Sequence, residues 1–345
     1  MLEWRRVGRQ VAAFAATAAA AEAALGGELP AGASQAEAEA LLAETAAARR
    51  LVAADGGCPV DFEGVLDVRP LLELAAAPPA PEAEPLSVLQ ADALAATVEA
   101  CLGLGAQLRF ADAGPELRAL APAADGEVLG LLELLRECVG PGDRRLRSEA
   151  SRELQEVREL AALNGEELAA ELRREAERLA RRTALVNKQP LVRRDRLCLA
   201  VRRGLQGELP GGVILGESNT GSTFYMEPRG AVELNNTAVY LRAEEEQEER
   251  RILSELTRSV AAAAGPLRAA LDAAHALDLV LARGAHAHWL GGARPVLGGA
   301  LELRGVCHPL LLEAALPPLP PVVPRTTLDD WLAVRAGVRA IALQR

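Results

Sequence analysis

Six basic side chains fall within one short stretch: Lys188, Arg193, Arg194, Arg196, Arg202 and Arg203. A guanidinium is a planar fork of donors that matches two phosphate oxygens, and an ammonium adds a compact positive charge. This cluster is therefore the chain's strongest candidate chemistry, contact with a phosphate backbone. The residues alone leave that contact an open question, and the charges of 144–183 also read as a solvated coiled-coil face with i,i+4 ion pairs. Acids are sparse here, with Asp195 the one carboxylate among them. Between 144 and 203 the chain holds 16 Lys and Arg against 10 Asp and Glu, although the whole protein carries a net charge of −10. A basic segment on an acidic body can hold a polyanion locally while the body repels it.

Other residue types that could do chemistry do not assemble into a constellation. His275, His286, His288 and His308 are the four histidines. His286 and His288 stand two apart, so a helix would turn them to different faces, and no carboxylate or cysteine accompanies them at ligand spacing. The glutamates of EEEQEE (244–249) would radiate around a helix axis, which makes a solvated face rather than a metal cage. Ser218, Ser222 and Thr223 lie in GESNTGST, which has turn chemistry and not the form of a nucleophile elbow. Lys188 is the only lysine among 38 Lys and Arg, and it sits in NKQP. A P-loop needs a lysine in a Gly-rich loop, so no complete P-loop can be written in these residues. The five cysteines, Cys58, Cys101, Cys138, Cys198 and Cys307, are widely spaced with no Cys-x-x-Cys pair. They read as free, mostly buried thiols of a reducing compartment. The expectation is no catalytic group, no metal and no cofactor.

The elements that must position the basic cluster follow from composition and periodicity. Half of the 345 residues are apolar and only 3% are aromatic, with Ala and Leu dominant, which favours helix over strand. Residues 1–60 read as helices with a break at 26–33, and Ser34 with Glu37 fits a capping box. GGCPVDFEG (56–64) and AAAPPAPEAEP (75–85) read as connections, after which helix resumes to about 139. GPGD (140–143) punctuates the chain. From 144 to 183, Leu146, Leu154, Leu168, Leu172 and Leu179 keep helical spacing, and Asn164-Gly165 is a place where that helix could kink. Residues 190–228 alternate in a strand-like way around an Asn-Thr-Gly turn, predicting two hairpins. A second long amphipathic helix follows from near Pro228, and helix continues through 266–290. The start, LEWRRVGRQV, lacks a long apolar stretch, and Glu22 interrupts the Ala-rich 11–26, so neither a secretory signal nor a membrane span is expected. The predicted fold class is mainly α: a helical core and lever (1–143), a long antiparallel coiled-coil arm (144–260) with a small antiparallel β subdomain at 184–228, a helical return (261–324) and a divergent tail (325–345).

Several segments carry a family likeness. LEWRRVGRQVAAFAAT at the start, GVLDVRPLL (64–72), SEASRELQEVREL (148–160) and GGVILGESNTGSTFYMEPRGAVELNN (211–236) resemble the N-terminal half of the type-two branch of the MutS family. VCHPLLLEA (306–314) looks like the His-Pro-Leu segment that precedes the ATPase domain there. The resemblance implies that 144–183 and 229–260 are lever arms and 184–228 a clamp, with Lys188, Arg193, Arg194, Arg196, Arg202 and Arg203 near a nucleic-acid backbone. It implies double-stranded or branched DNA as partner, kinship with mismatch repair, ATP-dependent suppression of recombination, and a homodimer. Because some bacterial members act on stalled ribosomes, a clamp on rRNA is the alternative partner. A coiled-coil scaffold for an acidic protein is a rival from another class. ATP and Mg belong to the family's P-loop and Walker B acid, and some members add a nuclease domain. This chain instead ends in RTTLDDWLAVRAGVRAIALQR. It is therefore expected to lack both domains, to be no enzyme by itself, and to lie inside the cell, in cytoplasm, nucleoid or plastid, away from membranes.

Overall fold

Side chains at helix starts set much of the architecture. Thr17, Ser34, Ser87, Ser151 and Thr327 each accept the backbone N–H three residues on, satisfying a donor that the helix itself leaves free. Ser87 and Gln90 complete a reciprocal capping box. At Ser34 the expected box is only half made, because the Glu37 carboxylate accepts from the N–H of Ala33 instead.

The computed structural model describes residues 3–53, 58–77, 84–298, 302, 304–320 and 326–336. The helices among them are α1 (Trp4–Ala12), α2 (Ala18–Gly26), α3 (Gln35–Val52), α4 (Arg69–Ala76), α5 (Val88–Phe110), α6 (Pro115–Arg118), α7 (Gly126–Cys138), α8 (Arg152–Ala180), α9 (Val232–Ala262), α10 (Ala264–Trp289), α11 (Pro309–Leu312) and α12 (Leu328–Arg335). One four-stranded antiparallel sheet contains β1 (Leu185–Arg193), β2 (Arg196–Arg202), β3 (Val213–Glu217) and β4 (Thr223–Glu227) in the order β1-β2-β4-β3. The protein is thus mainly α with one small antiparallel sheet. Parts of both connections named from sequence, 56–57 and 78–83, and residues 325 and 337–345 of the tail lie outside the described residues.

The chain forms two compact units, a body from Met1–Arg145 with Ser254–Arg345 and an arm from Leu146–Leu253. In the body, the abundance of alanine has a packing reason. Ala20, Ala21, Ala24 and Ala282 are buried in one cluster with Val11, Ala12 and Ala15, and Ala47 and Ala48 are buried on α3. Small side chains let helix backbones approach: a Cβ on Gly284 of α10 would collide with the α3 backbone at Ala48. The buried Asp278 of α10 accepts from Ala16 N, Thr17 N and Thr17 Oγ1 at 2.7–3.0 Å, so it fastens α10 to the start of α2. Buried Asp92 of α5 accepts from Arg136, from the N–H of Gly142 and from Arg335. Helix α5 alone has the length and hydropathy of a membrane span among the described residues. Here Leu94, Leu104 and Leu108 are fully buried, and α5 packs on α7 and α10 within the body.

His286 of α10 stacks on Trp289 with ring centroids 5.8 Å apart, and its Nε2 lies 3.2 Å from Gln10 Oε1. Burial pushes its pKa down to about 4. A histidine in the unfolded chain titrates near 6.5, so between these values the unfolded state binds the extra proton. Stability from the neutral ring is complete above about pH 6.5 and falls as pH drops towards 4, by roughly 3 kcal/mol at most. Denaturant unfolding at pH 7 and pH 4.5 should show the wild type losing more stability than His286→Phe; equal losses would contradict the assignment.

In the arm, α8 and α9 run antiparallel. Ser151 donates to Glu248, and Arg158 pairs with Glu245 and Glu249 while also donating to Leu146 O. Asn164 is buried and donates to Leu234 O, so the position where a kink was expected is an interhelical bond inside a continuous helix. The first helix of the arm is shorter than the 144–183 reading: a single 3-10 turn at Ser148–Ala150 precedes the Ser151 cap.

Candidate nucleic-acid interface

The basic cluster sits on a sheet that the arm helices hold from one side. Leu168, Leu172, Ala176 and Leu179 of α8 bury against Leu199 and Val201 of β2 and Met226 of β4, with Phe224 and Leu234 packed at the edge. The strand pattern follows: Leu199 faces Met226 and Val201 faces Phe224 across the β2–β4 ladder. Cys198, Ala200 and Tyr225 occupy the other face. Both Cys198 and Ala200 are also buried, which is why β2 reads as a nearly continuous apolar run rather than a clean alternation.

Strand β1 is an edge, and it starts at Leu185, inside the 184–228 subdomain and ahead of the alternation read from 190. Pro190 cannot donate to a ladder, and the β1–β2 register breaks between Asn187 and Leu191, where Pro190 lies. The β1–β2 turn places Arg194 and Asp195 at φ 50° and 60°, the paired left-handed conformations of a two-residue hairpin turn. At the other hairpin, Gly221 takes φ 67°, and Ser218, Thr220 and Ser222 form a hydroxyl chain at 3.3 and 2.8 Å. These hydroxyls bond one another in a turn, with no histidine among their recorded partners.

The six cations divide. Lys188, Arg193, Arg194, Arg202 and Arg203 are exposed. The Arg193 guanidinium lies 4.3 Å from the Tyr225 ring centroid, and that of Arg203 lies 5.1 Å from Phe224. Each ring holds its planar fork in place, and Arg193 also donates through Nη1 to Val192 O. Arg203 also donates to Gly221 O and meets the exposed Glu217 at 3.6 Å, a separation at which an exposed pair contributes little.

Arg196 does not join them. Its Nη2 donates to Glu227 at 2.7 Å and to Val232 O, and its Nη1 donates to Asn236. Glu227 is almost fully buried. Asn235 completes the knot: it donates to Glu227 Oε1 and to Leu197 O, and accepts from Leu197 N at 2.9 Å. Arg196 thus ties β2 and β4 to the first turns of α9. The EPRGAVELNN segment, noticed in the sequence as a family likeness, supplies this knot through Glu227, Asn235 and Asn236.

Sequence reading did not single out Tyr225 and Phe224 as platforms, nor Arg173 and Arg181, which are exposed near the end of α8. Their signal was an aromatic pair beside a basic strand in a chain with few aromatics. From Arg181 to Arg229 there are nine Lys and Arg against four Asp and Glu, and the buried Glu227 is already spent on Arg196. Among the described residues no group of three or more His, Cys, Asp or Glu could hold a metal ion. Burial pushes the Cys198 thiol up to about 11 and that of Cys101 up to about 12, which leaves both as poor nucleophiles.

The arm is thus an antiparallel helix pair ending in a small sheet with exposed, largely uncompensated cations. The chain is 40% identical over 133 residues to Endonuclease MutS2 of Thermus thermophilus, covering 39% of this chain and 18% of that protein. It is 30% identical over 280 residues to Endonuclease MutS2 of Geobacillus thermodenitrificans, covering 78% and 34%. With the Synechocystis protein of the same name it shares 32% over 213 residues, covering 60% and 25%. No family model matches the chain. The chain is thus similar to proteins named Endonuclease MutS2, and its matches span about a third or less of the length of these relatives.

Proposed function

We propose that the arm binds double-stranded or branched DNA through its phosphates, with Lys188, Arg193, Arg194, Arg202 and Arg203 as the contact groups. The observation that carries this reading is the exposure of five cations on one small sheet whose buried acid is committed to Arg196. Phosphate contacts fix position and carry no sequence information. In this reading these residues supply grip and no bond cleavage, and we place no ATP or Mg site among them. The kinship with proteins named Endonuclease MutS2 supports DNA as the polyanion; an intracellular setting and a part in restraining recombination belong to the same proposal.

Two unrelated duplexes of equal length should compete for the chain within about two-fold of each other. Affinity for either should fall by about 10²–10³ between about 50 and about 200 mM salt, as expected for roughly five phosphate contacts. Fluorescence anisotropy reads both. Salt-insensitive binding, or a strong preference for one sequence, would overturn the proposal.

A further inference from the structure

A cavity of about 310 Å³ opens within the body, bounded by α1, α3, the end of α10 and the irregular segment after it. Its walls are mainly apolar, with Val7, Val11, Leu42 and Leu290 prominent and Trp4 beside them. Three arginines, Arg49, Arg283 and Arg294, also line it, and no acidic residue does. In a protein with ten more acids than bases this local balance is reversed.

The polar groups around the cavity are only partly committed. Arg283 donates through Nη2 to Glu44 at 2.9 Å, outside the lining, while its Nε is buried with no hydrogen-bond partner. Burial works against the charge of this guanidinium, so an added anion would relieve it. Arg49 donates through Nη1 to Gly292 O, which holds the following segment across the cavity and leaves its remaining donors available. Thr45 is satisfied by Leu41 O. His286 is engaged with Gln10 and is neutral at physiological pH, so it neither attracts nor repels an anion.

We propose that this cavity binds a small amphipathic monoanion, an apolar body carrying one carboxylate, with the body against Val7, Val11, Leu42 and Leu290 and the carboxylate on Arg283 and Arg49. Its size lies at the small end of ligand pockets, about 300–1,000 Å³, and apolar walls with a few convergent polar groups are the usual make-up of such sites. A guanidinium recognises a carboxylate through parallel charge-assisted bonds, which a neutral analogue cannot form.

Isothermal titration of the intact chain with 4-phenylbutyrate and with 4-phenylbutan-1-ol tests this. The acid should bind at one site, and the alcohol, equal in apolar body, at least about ten-fold more weakly. Leu42→Trp should fill the cavity and abolish binding. Arg49→Gln, at a half-buried position, should weaken binding several-fold with the fold unchanged, so the test survives if the larger substitution disturbs folding. No binding of the acid at millimolar concentration, equal binding of the alcohol, or binding that survives Leu42→Trp in a folded chain would overturn the proposal.

Discussion

Glu227→Ala should destabilise the arm by about 3–5 kcal/mol, at the low end because Arg196 can turn towards water once released. The carboxylate is almost fully buried and accepts from Arg196 and Asn235. Removing it leaves a guanidinium and an amide short of partners in a site that water reaches poorly. The damage should spread along one route. Asn235 pairs with both backbone groups of Leu197, so loss of the knot frees β2 from α9. Amide hydrogen exchange at Leu197 should accelerate together with Leu199 and Met226, while the body exchanges as before. Glu227→Gln keeps one acceptor oxygen and should cost less. A loss below about 1 kcal/mol for Glu227→Ala would show that the knot is dispensable.

An effect of similar size is expected in the body from Asp278→Ala. Three donors at the start of α2, the N–H groups of Ala16 and Thr17 and the Thr17 hydroxyl, converge on this carboxylate at 2.7–3.0 Å. The two Thr17 donors are buried and that of Ala16 is partly so; a buried donor left unpaired costs roughly 1–3 kcal/mol, so a loss of about 3–5 kcal/mol is expected, with the lower limit set by water entering the gap. Thr17 also caps α2 through the N–H of Ala20, so the entry of that helix should loosen with it. Asp278→Asn retains one oxygen acceptor and should recover part of the loss. Denaturant unfolding measures both variants, and a change within about 0.5 kcal/mol for Asp278→Ala would contradict this account of the α2–α10 junction.

Local patterns carried much of this architecture. Helical spacing of Leu154, Leu168, Leu172 and Leu179 marked α8, and the Asn-Thr-Gly turn marked the β3–β4 hairpin, because both signals lie within a few residues. The start of α8 was less legible: the apolar spacing continues back to Leu146, but the chain makes a 3-10 turn at Ser148–Ala150 and the helix begins only after the Ser151 cap. Asn164 looked like a breaker because its bond to Leu234 O joins residues 70 apart in sequence. The basic cluster was visible as composition, yet the different fate of Arg196 was not. Its partner Glu227 is 31 residues away, and alternation along one strand cannot report which of several arginines meets a carboxylate on another. The cavity in the body was not legible at all, since α1, α3 and the end of α10 that enclose it are far apart in the chain.

The most direct test of the central claim compares the salt dependence of duplex binding by the wild type and by a variant carrying Lys188→Gln, Arg193→Gln, Arg194→Gln, Arg202→Gln and Arg203→Gln. Arg196 stays in place because it holds the sheet. Each phosphate contact contributes about −0.9 to the slope of log K against log salt, so five contacts predict a wild-type slope of roughly −4.5. The variant should approach zero slope and bind at least about 100-fold more weakly at about 50 mM salt, with its fold intact by circular dichroism. A folded variant that keeps the wild-type slope and affinity would place the DNA contacts elsewhere and contradict the account.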